Sequence, residues 1–230
     1  MHGAVHLRRE GVAIEIDEGR PRRAVAPPRR GFLEATILEI AGRRLSVLVG
    51  LLILQSSSQI VLQRFEKLIS SNIIIPLFLT MLVGAGGNAG NQAAVAAITG
   101  ILSGELNGPG AFMRTLKREA VVAAFCGLAL AVIGYVRVYI FYSNEEAQPT
   151  PVMITVFAVT LSLFLIVVSS VILGATLPFV LLRINVNVEH AAPAIQVVMD
   201  ILGVTICCVV CSFFLENDRV VENLSSNKLG

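Results

Sequence analysis

Charged side chains are scarce in this sequence, and their scarcity restricts the environment in which the chain can fold. Only 15% of the 230 residues are Asp, Glu, Lys or Arg, whereas 55% are hydrophobic and the mean hydropathy is +0.76. A soluble domain of this length needs more charge to cover its surface. The composition therefore excludes a soluble globular protein and predicts a chain that lies mostly in a lipid bilayer.

Motifs for catalysis, for disulfide frameworks and for transition metals are also missing. There are no paired catalytic acids, no Ser/His pairing and no HExxH string, so we do not expect an enzyme. His190 has no Cys or His beside it, which argues against a transition-metal site. The cysteines lie inside apolar runs, so we interpret them as small buried side chains, although Cys208 and Cys211 have the spacing of a redox motif.

The first thirty-one residues lack the apolar run of a secretory signal peptide. They are rich in Arg and Pro, and nine of the eighteen Lys and Arg precede residue 45. Four of these thirty-one residues are acidic (Glu10, Glu15, Asp17 and Glu18), and no serine precedes Ser46. Both features argue against an organelle transit peptide. We predict a polar cytosolic leader at residues 1–40, disordered or partly helical, and no nucleic-acid partner.

Five apolar windows are long enough to cross a bilayer as helices. They predict an all-α, polytopic membrane protein with a membrane domain at residues 41–216 and a short polar tail at 217–230. Polar residues 55–59 interrupt the first window, which is costly in lipid unless they face other helices. Residues 33–43 could form an amphipathic helix at the membrane surface. The windows are Leu45–Leu62, Asn72–Thr99, Ala120–Tyr142, Pro151–Leu182 and Ala191–Leu215.

The placement of Lys and Arg between the windows predicts the orientation of the chain. With five spans, the side of the N-terminus holds thirteen of these residues and the opposite side holds four. Tyr135, Tyr139 and Tyr142 form an aromatic cluster at the outer end of the third window. We predict a cytosolic N-terminus, and we expect the plasma (inner) membrane rather than an organelle membrane.

The second window contains an unusual stretch of glycines and amides. One apolar run contains four glycines and three amides within nine residues: Gly84, Gly86, Gly87, Asn88, Gly90, Asn91 and Gln92. Helical spacing places Gly84, Asn88 and Gln92 on one face, where amide oxygens could bind a hydrated cation. The alternative is a tight helix-packing seam. The stretch lacks the Lys and Ser/Thr of a phosphate-binding loop.

Asp200 is the one acidic residue deep in an apolar run. A carboxylate there needs a partner or water. Gln196, Asp200 and Gly203 follow helical spacing and form a narrow polar stripe. A cation is one candidate partner, and a protonated carboxyl that hydrogen-bonds another helix is the alternative.

At these residues the sequence resembles the MgtE family of magnesium channels and transporters. The resemblance covers roughly residues 40–215. The matching residues are Pro76, the string Gly86-Gly87-Asn88-Ala89-Gly90-Asn91-Gln92, Gly100, Gly104, Glu105, Lys117, Glu119, Gly174, Pro178, Pro193, Asp200 and Gly203.

The resemblance implies five helices per chain, a homodimer, and a pore between the subunits. It implies that Asp200 binds a hydrated Mg²⁺ as the transported ion and that Asn88 lines the same pore. We therefore predict metal contacts at Asp200, Asn88 and Gly87. Further pore-lining candidates are Gly84, Gly86, Asn91, Gln92, Gln196 and Gly203.

The chain departs from the family pattern in two strings and in its leader. It has Thr99-Gly100 where the family usually has Arg-Gly, and residues 187–189 replace an Asp-Pro-Ala string. Members often have large cytosolic domains that sense Mg²⁺ and close the pore. A leader of about forty residues is too short for domains of that kind, so closure of the pore by a cytosolic Mg²⁺ sensor is not expected.

The predicted function is therefore movement of a divalent cation, Mg²⁺ first, through a pore at a homodimer interface. Two alternatives remain open. One is a broader divalent carrier for Co²⁺, Mn²⁺, Ni²⁺ or Zn²⁺. The other is a membrane assembly subunit that transports nothing.

Overall fold

Long helices make up most of the structure, a computed structural model that describes residues 8–9, 12–13, 36–106, 108–142, 152–183 and 191–226. Two compact units divide at residue 49. The first contains a pair of two-residue antiparallel strands. The other residues of the predicted leader that precede Thr36 lie outside the described residues. The elements are β1 (Arg8–Arg9), β2 (Val12–Ala13), α1 (Ile37–Gln55), α2 (Ser57–Arg64), α3 (Glu66–Ser71), α4 (Ile74–Leu102), α5 (Ala111–Tyr142), α6 (Val152–Arg183) and α7 (Ala191–Ser226).

Within the described residues, five helical segments are long and apolar enough to cross a membrane, which confirms the predicted all-α architecture. Each of the five apolar windows falls on one of them. The segments are Ile37–Arg64, Ile74–Leu102, Ala111–Phe141, Val152–Arg183 and Pro193–Leu215.

The first span differs from its prediction at its N-terminal end and at its polar stretch. Residues 37–43 are continuous with α1 and do not form a separate element, because no proline or turn interrupts the helix before Gln55. The polar run instead breaks the span at Ser56, between α1 and α2. The Ser56 hydroxyl donates to the Leu52 carbonyl at 2.9 Å and the Ser58 hydroxyl donates to the Gln55 carbonyl at 2.8 Å. Local backbone carbonyls thus satisfy these hydroxyls.

Helix α6 is the central element of the membrane bundle, and it packs against α4, α5 and α7. Half of its apolar window is buried inside the chain, a larger share than in any other candidate span. Side chains of α4, α6 and α7 form the main core, with Leu82, Val159, Ile166 and Cys211 almost fully buried.

Helices α4 and α6 touch backbone to backbone at Gly90 and Gly174. A Cβ atom placed on Gly174 would overlap the Gly90 carbonyl oxygen, and one placed on Gly86 would overlap the Ile166 side chain. Small residues permit this close approach, as they do in many membrane helix pairs. The packing-seam interpretation therefore holds for Gly86 and Gly90, whose faces are buried in this contact.

Candidate functional site

Asp200 lies on α7 with both carboxylate oxygens hydrogen-bonded to amide groups. The Gln196 side-chain nitrogen, four residues earlier on the same helix, donates to Oδ1 at 2.8 Å. The Gln55 side-chain nitrogen, at the end of α1, donates to Oδ2 at 2.9 Å. Both donors are neutral, so they orient the carboxylate and stabilise its charge without cancelling it. The carboxyl group is partly exposed.

A third amide extends this network to α4. The Asn91 side-chain nitrogen donates to Gln196 Oε1 at 2.8 Å. Asn91 donates to Gln196, and Gln196 and Gln55 donate to Asp200, so every NH₂ group points toward the carboxylate. Successive hydrogen bonds in such a series polarise one another. We call Gln55, Asn91, Gln196 and Asp200 the amide–carboxylate network; it joins α1, α4 and α7.

One acceptor next to this network has no donor. Asn91 Oδ1 is buried and has no hydrogen-bond partner among the described residues. A buried acceptor without a donor costs free energy, on the order of 1–3 kcal/mol. A water molecule, or a water in the shell of a bound cation, would supply the missing donor.

Gly87 provides the space that the Gln196 amide occupies. A Cβ atom on Gly87 would lie 2.5 Å from Gln196 Nε2 and 2.9 Å from its Oε1. Gly87 was predicted as a metal contact, and the structure places it in contact with the amide that holds Asp200. Its absent side chain therefore sets the position of Gln196.

Gly87→Ala is expected to reduce ion flux about fivefold, because displacing Gln196 removes about one hydrogen bond, worth roughly 1 kcal/mol. Gly50→Ala in α1 is the matched control, since nothing lies within 4 Å of a Cβ atom placed there. Both changes raise helix propensity equally. Flux measured in reconstituted vesicles at equal protein should fall only for Gly87→Ala, and equal flux from the two variants would refute this role of Gly87.

Asn88 and Gln92 lie on the exposed face of α4, together with Gly84, as their spacing predicts. Neither amide has a hydrogen bond to the amide–carboxylate network. They line a cavity of about 610 Å³ between α4 and α5, which also contains Glu119 and Cys126. Within one chain, the predicted polar residues are thus divided: Asn91, Gln196 and Asp200 lie in the network, and Asn88 and Gln92 line this cavity.

Gln55 of the network and the acidic residue Glu119 of the cavity were not among the predicted site residues. Gln55 was visible only as part of the polar run that weakens the first window, and Glu119 only as a match to a family motif. Gly203, a predicted pore-lining residue, is buried, and a Cβ atom on it would lie 3.1 Å from Val83 Cγ2. Gly86 and Gly203 therefore serve contacts between helices within the chain.

Comparison with known proteins gives a consistent match across the membrane helices. A model of the MgtE family, described as a divalent cation transporter, matches residues 79–210. The magnesium transporter MgtE of Thermus thermophilus is 28% identical over 194 residues, which are 84% of this chain and 41% of that protein. The magnesium transporter MgtE of Bacillus subtilis is 26% identical over 178 residues, 77% of this chain and 38% of that protein. The chain thus spans about two fifths of the length of these relatives.

Proposed function

Because the chain belongs to the MgtE family of divalent cation transporters, we propose that it moves Mg²⁺ across a membrane and that Asp200 holds the ion in transit. The function is transport, with no covalent bond made or broken. The observation that supports Asp200 in this role is its carboxylate, held on both oxygens by neutral amides within a membrane span. Neutral donors leave the negative charge of the ionised carboxylate for a cation to neutralise.

The bound ion is a hydrated Mg²⁺. Mg²⁺ gives up water reluctantly and keeps several waters when carboxylates bind it. Those waters are hydrogen-bond donors, which suits the remaining lone pairs of Asp200 and the unpartnered Asn91 Oδ1. The network therefore offers acceptors to the hydration shell and a negative charge to the ion.

A second copy of the chain completes the ion path. Asn88 and Gln92 are exposed on a membrane-spanning helix, and Gly84 beside them has open space in front of it. Exposed amides in lipid need partners, so this face of α4 suits another subunit and water better than hydrocarbon. A homodimer would bring two Asp200 carboxylates to one pore, which matches the charge of one divalent ion.

The membrane potential supplies the driving force for uptake. A divalent ion gains about 4.6 kcal/mol per 100 mV of potential, twice the value for a single charge. The excess of Lys and Arg on the N-terminal side supports a cytosolic N-terminus, so that Mg²⁺ moves inward in the plasma membrane.

A broader carrier for transition metals has less support. Among the described residues, no group of three or more His, Cys, Asp and Glu side chains could hold a metal ion. Amide and carboxylate oxygens suit hard cations such as Mg²⁺ and Mn²⁺, whereas Zn²⁺ and Ni²⁺ favour nitrogen or sulfur ligands, so Mn²⁺ and Co²⁺ remain alternative substrates.

Purified chain in liposomes that contain a Mg²⁺-sensitive dye tests the proposal. We expect Mg²⁺ uptake that increases with an inside-negative potential, because the ion crosses with its charge. Empty liposomes are the control. Light scattering on the purified chain in detergent micelles should give two copies per particle. An assembly subunit without transport activity would give the uptake of empty liposomes, and that result would overturn the proposal.

A further inference from the structure

Gln55 donates the second hydrogen bond to Asp200 from a different span, and neither the fold nor the family match assigns it a role. Its side-chain nitrogen lies 2.9 Å from Asp200 Oδ2, across 145 residues of sequence. We propose that Gln55 is a specificity-determining residue that, with Gln196, keeps Asp200 in contact with the hydration shell of Mg²⁺ and disfavours cations that bind carboxylates directly. The proposal rests on the proposed transport of Mg²⁺ past Asp200.

The position of Gln55 is fixed by the break between α1 and α2. Gln55 is the last residue of α1, and its own carbonyl accepts the Ser58 hydroxyl. Helix α2, which follows directly, packs against α7 near the network. The polar run that interrupts the first span thus places one amide next to the acid of the last span.

The two amides restrict what the carboxylate can do. An ionised carboxylate has about four lone-pair sites, and one on each oxygen is taken by an amide hydrogen. The remaining site on each oxygen can accept a water hydrogen. A cation that binds the oxygens directly draws negative charge from them, and this weakens the hydrogen bonds that both amides donate. Ca²⁺ commonly takes bidentate carboxylates and sheds water readily, whereas Mg²⁺ does not.

The arrangement therefore discriminates by hydration. A cation that keeps its waters uses the carboxylate as it stands. A cation that binds the oxygens directly weakens the Gln55 hydrogen bond. Ca²⁺ is disfavoured relative to Mg²⁺ by about the strength of that bond.

A simpler role for Gln55 is to satisfy Asp200 during folding. Gln55 is exposed and Asp200 is partly exposed, so water can replace the amide if it is removed. A folding role alone predicts lower thermal stability with an unchanged ratio of Ca²⁺ to Mg²⁺ flux. The specificity role predicts a changed ratio, which separates the two.

The test compares Gln55→Met with Gln59→Met in liposomes, by measuring Mg²⁺ and Ca²⁺ flux for each. Methionine retains the length of the glutamine side chain and removes its NH₂ donor. Gln59 is an exposed glutamine in the same polar run and serves as the matched control. We expect the Ca²⁺/Mg²⁺ flux ratio to rise about fivefold for Gln55→Met, the size expected from one lost hydrogen bond. Gln59→Met should retain the wild-type ratio.

An unchanged ratio in Gln55→Met, with normal Mg²⁺ flux, overturns the proposal and leaves Mg²⁺ transport intact. Absence of Mg²⁺ flux in the wild-type chain overturns the proposed function itself. Should Gln55→Met fail to reconstitute, Gln55→Asn takes its place, because it retains the amide but withdraws it by one methylene. The same rise in the flux ratio is then expected, and an unchanged ratio has the same negative meaning.

Discussion

Gly174→Ala is expected to destabilise the helical bundle so strongly that most of the protein molecules do not fold stably. The added Cβ atom would overlap the Gly90 carbonyl oxygen and lie 2.8 Å from the Gly90 carbonyl carbon. Both atoms belong to the backbone of α4, so no rotamer change relieves the clash. Helices α4 and α6 would have to separate at the centre of the bundle, at a cost of about 3 kcal/mol or more.

The buried cysteines give a direct readout of this effect. Cys207, Cys208 and Cys211 are at most 1% exposed, so a thiol-reactive dye labels them only when the bundle opens. Cys126 is partly exposed, and it is therefore replaced by alanine in every variant of this assay. We expect Gly174→Ala to label rapidly at temperatures where the wild type is protected. Gly50→Ala is the control, because it adds the same methyl group where no atom lies within 4 Å. Wild-type labelling kinetics in Gly174→Ala would contradict the close crossing of α4 and α6.

Asp200→Asn is expected to reduce Mg²⁺ flux at least about a hundredfold, with the protein still assembled. A unit charge about 4 Å from another is worth about 4 kcal/mol near a protein surface, and the variant removes that attraction. The asparagine also presents an NH₂ group toward one of its two amide donors, so one hydrogen bond of the network is lost.

The controls for Asp200 separate charge from shape. Asp200→Glu retains the charge but lengthens the side chain, and we expect it to retain part of the flux. Equal amounts of reconstituted protein must be compared, and the thiol-labelling assay confirms that each variant is folded. Undiminished flux in Asp200→Asn would exclude Asp200 from the ion path and favour a different role for the network.

The sequence predicted the elements of the site better than their mutual arrangement. Asp200 was identifiable because no other acid lies deep in an apolar run, and Gln196 because helical spacing places it four residues away. Gln55 was not, because its partner lies 145 residues further along the chain. Polar residues in a span indicate that a partner exists, but only tertiary packing shows which helix provides it.

The amides of α4 illustrate the same limit. Periodicity correctly placed Asn88, Gln92 and Gly84 on one face, and it could not show which neighbour that face meets. The structure turns Asn91 toward α7, and it places Asn88 and Gln92 in the cavity beside Glu119. Residues one position apart on a helix differ by about 100°, so neighbouring amides necessarily point to different partners.

The glycines show how packing decides between two interpretations that are equal in sequence. Gly84 and Gly86 are two residues apart, yet the first faces open space and the second faces Ile166. The seam interpretation thus holds at Gly86, whereas the face of α4 at Gly84 is open, and its role in an ion path stays a proposal. The close contact of Gly90 with Gly174 orients α4 so that Gly86 faces α6 and Gly84 faces away from it.

The reversal potential of the current through the wild-type chain in a planar bilayer tests the central claim most directly. A tenfold Mg²⁺ gradient is worth about 1.4 kcal/mol, and a divalent ion gains about 4.6 kcal/mol per 100 mV. A pore that passes Mg²⁺ past paired Asp200 carboxylates should therefore reverse about 30 mV from zero, with the polarity of a cation. A membrane that stays silent, or a reversal at zero or with the polarity of an anion, would contradict the account.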